Sequence, residues 1–161
     1  MELDAKDCEI IARLQANARI SFAELGRQIG LSTPATIERV QKLEEAQIIL
    51  GYHAQINPAA VGLSVNATVR ITVDGSRIAL FAEQARRIPE VLSCHRITGS
   101  ESYLVKVSVR DTQHLEEVID AMMPYTATNT SLILGSAFAW KPTTPAQILP
   151  RRAPRKKARA S

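Results

Sequence analysis

The stretch from Ser21 to Leu50, SFAELGRQIGLSTPATIERVQKLEEAQIIL, constrains the chain more than any other. It reads as two short helices joined by a tight turn, with a short apolar run after them. Ser21 can accept the orphan amide of residue 24 while Glu24 reaches back, and Ile20 and Leu25 have the spacing of a hydrophobic staple, so a helix starts at Phe22. Gly30 tolerates the left-handed backbone of a helix end. Ser32 or Thr33 then caps the next helix, and Pro34 fits its first turn, where a missing N–H costs nothing. Only Gly30, Leu31 and Ser32 separate the helices, which is helix-turn-helix spacing, and such units mostly read DNA.

In the second helix Ile37, Val40 and Leu43 form the expected core stripe, which leaves Thr33, Thr36, Arg39, Gln41 and Lys42 to face outward. Thr, Gln and Arg can hydrogen-bond base edges, and Arg and Lys can bind phosphates. The same positions would also suit a merely solvated face on an antiparallel helix pair.

The chain has 161 residues, enough for one ordinary domain or two small ones, and its 45% apolar and 22% charged residues are those of a globular protein. No run reaches the roughly 18–20 apolar residues of a membrane span. The N-terminus, MELDAKDCEII, has acids where a secretory signal has bases, so a soluble cytoplasmic protein is expected. Cys8 and Cys94 have no metal-ligand spacing and are read as small, semi-buried residues without chemistry. The net charge of +4 is unevenly placed: Arg151, Arg152, Arg155, Lys156, Lys157 and Arg159 have no acid among them, so residues 1–141 carry −2. Nucleic-acid affinity therefore has to be argued from where the cations sit, not from the overall balance.

Ahead of the opening pair, Asp4 can cap a first helix with Asp7 in its first turn. The expected core of this three-helix unit is Ile10, Ile11, Leu14, Leu25, Ile29, Leu31, Ile37, Val40 and Leu43. Ile48, Ile49, Leu50, Tyr52 and Ile56 look like a short strand or wing, ended by Asn57-Pro58. Leu63 to Val73 then alternates apolar and polar residues, which predicts a strand with one apolar face. Ser76 can cap a helix with the stripe Ile78, Phe81, Ala85 and Ile88. Val91–Thr98 and Tyr103–Val109 follow as strands, Asp111 or Thr112 caps a helix carrying Leu115, Val118, Ile119 and Met122, and Ser131–Trp140 reads as a fourth strand.

The expected fold class is α+β: a winged helix-turn-helix followed by a ferredoxin-like βαββαβ domain. Its boundaries are 1–50 for the DNA-binding domain, 51–62 for a linker strand, 63–141 for the ferredoxin-like domain and 142–161 for a flexible basic tail, since few large apolar residues remain there. One sheet face would carry both helices. The other, with Asn66, Thr68, Arg70, Lys106 and Ser108, is open to water or to a second subunit.

This arrangement resembles the Lrp/AsnC family of bacterial and archaeal feast/famine regulators, whose second domain is the RAM type. The resemblance is carried by Leu3-Asp4-x-x-Asp7, Arg19-Ile20-Ser21, Leu31-Ser32, Arg39-Val40-x-x-Leu43-Glu44, Ile49-x-Gly51-Tyr52, Asn57-Pro58, Gly62, and Thr98-Gly99 before Tyr103-Leu104, over roughly residues 3–140. It implies a transcriptional regulator that binds double-stranded DNA, a homodimer commonly assembled into tetramers or octamers, and a small-molecule effector, often an amino acid, held between dimers. Carried over by position, Ser32, Thr33, Thr36, Arg39, Gln41 and Lys42 would face DNA. Gly99, Ser100, Glu101, Ser102 and Tyr103 would line the effector pocket, with Thr128 and Thr130 opposite.

Two departures from the family pattern, Ser102 where an acid usually precedes the tyrosine and Tyr125-Thr126-Ala127 before the last strand, imply a changed or absent effector, with Glu101 as the substitute acid. No catalytic group, metal site, cofactor or membrane contact is expected. Two alternatives use the same fold: an architectural DNA-coating protein without an effector, aided by the basic tail, and an enzyme like the family's haem-pathway decarboxylases. For the latter, His53, His95, Arg96 and His114 form no spaced cluster with a nucleophile or metal partner.

Overall fold

A computed structural model describes residues 2–122 and 127–148, which fall into two compact units, 2–54 with 138–148 and 55–137. Tyr125, Thr126 and the basic cluster from Arg151 to Arg159 lie outside the described residues.

The first unit is built from α1 (Ala5–Ala16), α2 (Phe22–Ile29) and α3 (Thr33–Glu45). Asp4 caps α1 in a reciprocal box: Asp7 N donates to Asp4 Oδ1 at 2.8 Å and Asp4 N to Asp7 Oδ2 at 3.0 Å. Ser21 caps α2, accepting from Glu24 N at 3.2 Å, and α2 stops at Gly30, whose φ of 70° is left-handed. Ser32 rather than Thr33 caps α3.

Ile10, Leu14, Leu25, Ile29, Val40 and Leu43 form the buried core, with Leu3, Ile11, Ile20, Leu31, Ile48 and Ile49 packed on its rim. Fully burying side chains of this size stabilises a fold by about 1.5–3 kcal/mol each.

Several expectations for this unit are corrected. Ile37 is only half-buried and lies outside the core cluster. The buried line of α3 is Thr36, Val40 and Leu43, spaced i, i+4, i+7, so the helix is turned by about one residue at its start. Glu24 does not complete a capping box; its carboxylate turns along α2 to Arg27 and Gln28. The strand expected over 51–62 is coil with one 3-10 turn, Ala59–Val61. No neighbouring strand of the chain pairs with it, and without a ladder the backbone there has nothing to hold it as sheet. Tyr52 instead donates its hydroxyl to Glu44 Oε1 at 2.8 Å, tying this segment back to α3.

The last correction concerns the tail. Up to Ile148 it is ordered within the first unit: Thr143 N donates to Gln15 Oε1 at 2.8 Å, Gln15 Nε2 donates back to Thr143 O at 2.9 Å, and a one-turn helix, α6 (Pro145–Ile148), follows. Two reciprocal backbone bonds and the packing of α6 on α1 supply what the lack of apolar residues does not.

The second unit is a four-stranded antiparallel sheet of order β2-β3-β1-β4, from β1 (Val65–Thr72), β2 (Val91–Arg96), β3 (Tyr103–Val109) and β4 (Ala127–Leu132). With α4 (Ile78–Arg87) and α5 (Thr112–Met122) it has the ferredoxin-like order. Ala67, Val69, Ile71 and Val73 from β1 and Tyr103, Val105, Val107 and Val109 from β3 pack with Phe81, Ala85, Leu115, Val118 and Met122.

Ser76 does not cap α4, which follows a 3-10 turn over Gly75–Arg77 without a side-chain cap. Asp111 caps α5, accepting from His114 N at 2.8 Å. β4 lies earlier than the expected Ser131–Trp140. The apolar residues Leu132, Ile133 and Leu134 mark that later segment, but the residues that pair with β1 are the polar run ATNTSL, an edge strand with no apolar stripe to reveal it.

Candidate nucleic-acid interface and effector loop

Gly26 sets how closely α2 meets the turn before α3. A Cβ there would stand 2.7 Å from Leu31 O and 2.7 Å from Thr36 Oγ1, so only glycine leaves room. The Thr36 hydroxyl donates to Ser32 O at 2.9 Å and the residue is fully buried. Thr36, expected to face DNA, is therefore part of the packing between the helices. A buried threonine at i, i+4, i+7 with Val40 and Leu43, facing a mid-helix glycine, was the signal available in the sequence.

Arg39 is also corrected. It is not free on the outer face: its Nη1 donates to Asp7 Oδ1 at 2.7 Å and to Asp4 Oδ2 at 2.8 Å. These two carboxylates raise the Arg39 pKa, and the Asp4 carboxyl is held below its usual range, first by the Asp7 amide and then by the Arg39 guanidinium. The groove between α1 and α3 is lined by Asp7, Ala35, Glu38, Arg39 and Lys42.

What α3 does present to solvent is Ser32, Thr33, Pro34, Glu38, Gln41 and Lys42, with Ile37 half-exposed among them. Thr33, Ile37 and Gln41 follow one another at i, i+4, i+8, a single line along the helix. Lys42 Nζ pairs with Glu38 Oε1 at 2.6 Å, and this pair is exposed. The outer face thus offers two hydroxyls, an amide, an apolar side chain and one ammonium, a set that can address base edges, a thymine methyl and phosphate.

In the second unit the loop after β2 is pinned rather than open. Ser102 Oγ accepts from Val73 N at 3.1 Å and donates to Val73 O at 3.2 Å, while Ser102 N donates to Ile71 O at 2.7 Å. Tyr103 is buried against Phe81, with centroids 5.1 Å apart, and donates its hydroxyl to Ile78 O at 3.0 Å. Both residues, expected to line a pocket, serve to hold the loop on the sheet.

Gly99, with φ of 124°, Ser100 and Glu101 remain at the tip. Ser100 Oγ donates to Glu101 Oε2 at 2.8 Å, and that bond, with the Arg70 charge as a smaller cause, keeps the Glu101 carboxyl below its usual range. Arg96, not placed in the expected pocket, lays its guanidinium 5.2 Å over the Tyr103 ring and donates to Ser102 O at 3.3 Å.

Thr128 and Thr130 pair with Ile71 and Val69 and so share the helix-covered face of the sheet. Arg70 reaches Asn129 Oδ1 at 3.4 Å and Ser131 Oγ at 3.3 Å on the opposite face. Among the described residues no group of three or more His, Cys, Asp or Glu is placed to hold a metal, and no helix is long and apolar enough to cross a membrane. His114 is tied to Glu90 Oε1 at 3.0 Å, and His95 is exposed on β2.

The model of the AsnC-type helix-turn-helix domain matches residues 3–44, and that of the Lrp/AsnC ligand binding domain matches 66–139. The transcriptional regulator LrpC of Bacillus subtilis is 35% identical over 133 residues, covering 83% of this chain and 92% of LrpC. The chain belongs to the Lrp/AsnC family of transcriptional regulators.

Two solved structures of similar proteins carry an amino acid. The regulator NMB0573 of Neisseria meningitidis, in complex with L-methionine, aligns with a TM-score of 0.85 at 28% identity over 91% of this chain and 99% of its own. The feast or famine regulatory protein Rv3291c of M. tuberculosis, also complexed with L-methionine, aligns with a TM-score of 0.84 at 33% identity over 89% of this chain and 99% of its own. In family terms the first unit here is the DNA-binding helix-turn-helix and the second the ligand-binding domain.

Proposed function

We propose that this Lrp/AsnC-type regulator reads a near-palindromic DNA site as a homodimer, assembled further into tetramers or octamers, and that a small zwitterion, an amino acid or a related metabolite, acts on it through the loop after β2. The observation that carries the reading is the split of α3. Thr36, Val40 and Leu43 fix its inner face, while Ser32, Thr33, Gln41 and Lys42 stand exposed on its outer one. Arg39, engaged with Asp4 and Asp7, positions the helix instead of reading bases. Two such helices in successive major grooves sit roughly 34 Å apart, which fixes the half-site spacing.

The effector reading rests on opposite charges flanking one loop, Arg96 at the end of β2 and Glu101 at the tip, suited to a carboxylate and an ammonium. L-methionine in two similar proteins makes an amino acid the first ligand to try. Such a ligand shifts assembly only by binding one state more tightly than another.

The test is binding of the purified protein to DNA from its own upstream region, with a random duplex as control, at physiological salt. Tight binding well above the control supports a sequence-specific regulator. Equal binding to both supports the architectural alternative, and no binding to either overturns the DNA reading. Calorimetry against L-methionine and the other common amino acids tests the effector; no heat with any of them removes that half of the proposal.

A further inference from the structure

The DNA-reading unit is short of available positive charge. Residues 2–54 contain eight acidic and six basic side chains, a balance of −2. Four of the six cations already face carboxylates: Lys6 lies 3.3 Å from Glu9, Arg27 2.6 Å from Glu24, Arg39 2.7 Å from Asp7, and Lys42 2.6 Å from Glu38. Affinity for a duplex depends steeply on how many phosphates the protein neutralises. A surface of this kind can choose a sequence but holds the backbone weakly.

The same unit also anchors the segment that leads to the chain's largest group of cations. Gln15 on α1 and the Thr143 backbone exchange two hydrogen bonds, of 2.8 and 2.9 Å, and α6 follows at once. From Arg151 to Arg159, six of nine residues are Arg or Lys and none is acidic.

We infer that the run from Arg151 to Arg159 is a second nucleic-acid-binding element, directed at the phosphate backbone and blind to sequence, which the Gln15–Thr143 clasp delivers to DNA held by α3. The inference rests on the proposal that α3 reads DNA. The distances allow it. Gln15 is eight residues beyond Asp7 on α1, roughly 12 Å of helix from the point where α1 grips Arg39. The thirteen residues after Ile148 span at most about 45 Å. An extended chain advances about 3.3–3.6 Å per residue, close to the phosphate spacing of about 3.4 Å along one DNA strand, so successive cations can meet successive phosphates. Anchoring on α1 raises the effective concentration of these cations beside the bound duplex without any new base contact.

The experiment measures affinity against salt for the full chain, for a chain lacking residues 150–161, and for the sixfold variant Arg151→Gln, Arg152→Gln, Arg155→Gln, Lys156→Gln, Lys157→Gln, Arg159→Gln. Own-upstream and random duplexes are both used. Each lost phosphate contact should flatten the slope of log K against log salt by about 0.9, so removing the run should flatten it by about 3–5. Affinity for both duplexes should fall by the same factor, leaving their ratio unchanged. Gln15→Ala should weaken binding several-fold in the full chain and leave the shortened chain unaffected.

An unchanged slope in the sixfold variant overturns the inference, and an equal effect of Gln15→Ala in both backgrounds overturns the role of the clasp. A loss of preference for the upstream duplex in the sixfold variant alone also overturns it, because the run would then be reading sequence. If the unaltered protein shows no preference between duplexes, the reading by α3 fails, while the slope difference still reports on the run.

Discussion

Arg39 and Asp7 join the second helix of the DNA-binding motif to the first turn of α1: Arg39 Nη1 lies 2.7 Å from Asp7 Oδ1, and the Asp7 side chain is only 4% exposed. The other carboxylate oxygen of Asp7 accepts from Asp4 N, so one buried acid both closes the cap of α1 and fixes the side of α3. The arginine that looks most like a DNA contact in the sequence is thereby occupied within the protein.

Arg39→Ala should therefore act first on stability. It leaves a buried carboxylate with its amide bonds but without its cation, a loss of about 1–2 kcal/mol once the partial exposure of Arg39 is allowed for. Urea denaturation should show the drop. DNA affinity should fall by a similar factor for upstream and random duplexes. Unchanged stability with a loss confined to the upstream duplex would instead make Arg39 a base-reading residue.

Gly26→Ala should destabilise the helix-turn-helix although alanine is the better helix former. The gain in helix propensity is about 1 kcal/mol, against about 1–3 kcal/mol for forcing a methyl into packed atoms. The new Cβ would meet a backbone oxygen, Leu31 O, and the buried Thr36 hydroxyl, each at 2.7 Å, and neither is the far end of a flexible side chain. A lower melting temperature than the parent, by about 5 °C, is the expected result; an unchanged or higher one would mean that the turn can open at no cost.

These two residues show where sequence reasoning succeeds and where it stops. Caps at Asp4, Ser21, Ser32 and Asp111 follow from side-chain chemistry a few residues away, and the alternation in β1 and β3 reports one buried face, so those elements were legible. Local patterns do not report partners distant in the chain. Arg39 meets Asp4 and Asp7 across more than thirty residues, Ser102 clasps Val73, and Thr143 clasps Gln15, and each of these takes a side chain or segment that local polarity assigned to solvent or ligand. β4 was misplaced for a related reason: an edge strand held mainly by its ladder to β1 needs no apolar period. Ile37 and Thr36 differ by a single helical step, which a stripe of three apolar residues cannot resolve.

Glu24 gives a pH-dependent test of the observed geometry. Hydrogen bonds from Arg27 and then Gln28 hold its carboxyl at about 2, against an ordinary value of 4.5. A carboxyl depressed by folding stabilises the native state above its unfolded pKa, and that stabilisation is lost as pH falls through the folded value. Its contribution is therefore complete above 4.5 and disappears toward about 2. The stability difference between the parent and Glu24→Gln should be constant at neutral pH and shrink across this window, and added salt should reduce it because the group is exposed. A difference independent of pH would mean that Glu24 reaches back to cap α2 only as a neutral hydrogen-bonding group, with no ion pair to Arg27.

Gln41 and Lys42 are neighbours on α3, yet they should fail in different ways. Gln41 is exposed in line with Thr33 and Ile37, and a glutamine can bond an adenine edge through both its amide groups. Gln41→Ala should cost about 1–3 kcal/mol on the upstream duplex and little on a random one. Lys42 is held only by the exposed Glu38, a partner it can leave for a phosphate. Lys42→Ala should weaken both duplexes alike and reduce the salt slope by about 0.9. Fluorescence anisotropy over a salt series, with both duplexes and both variants, separates the two effects. If Lys42→Ala altered the preference between duplexes and Gln41→Ala did not, the face of α3 turned to the bases would be the one carrying Glu38 and Lys42 rather than the line from Thr33 to Gln41.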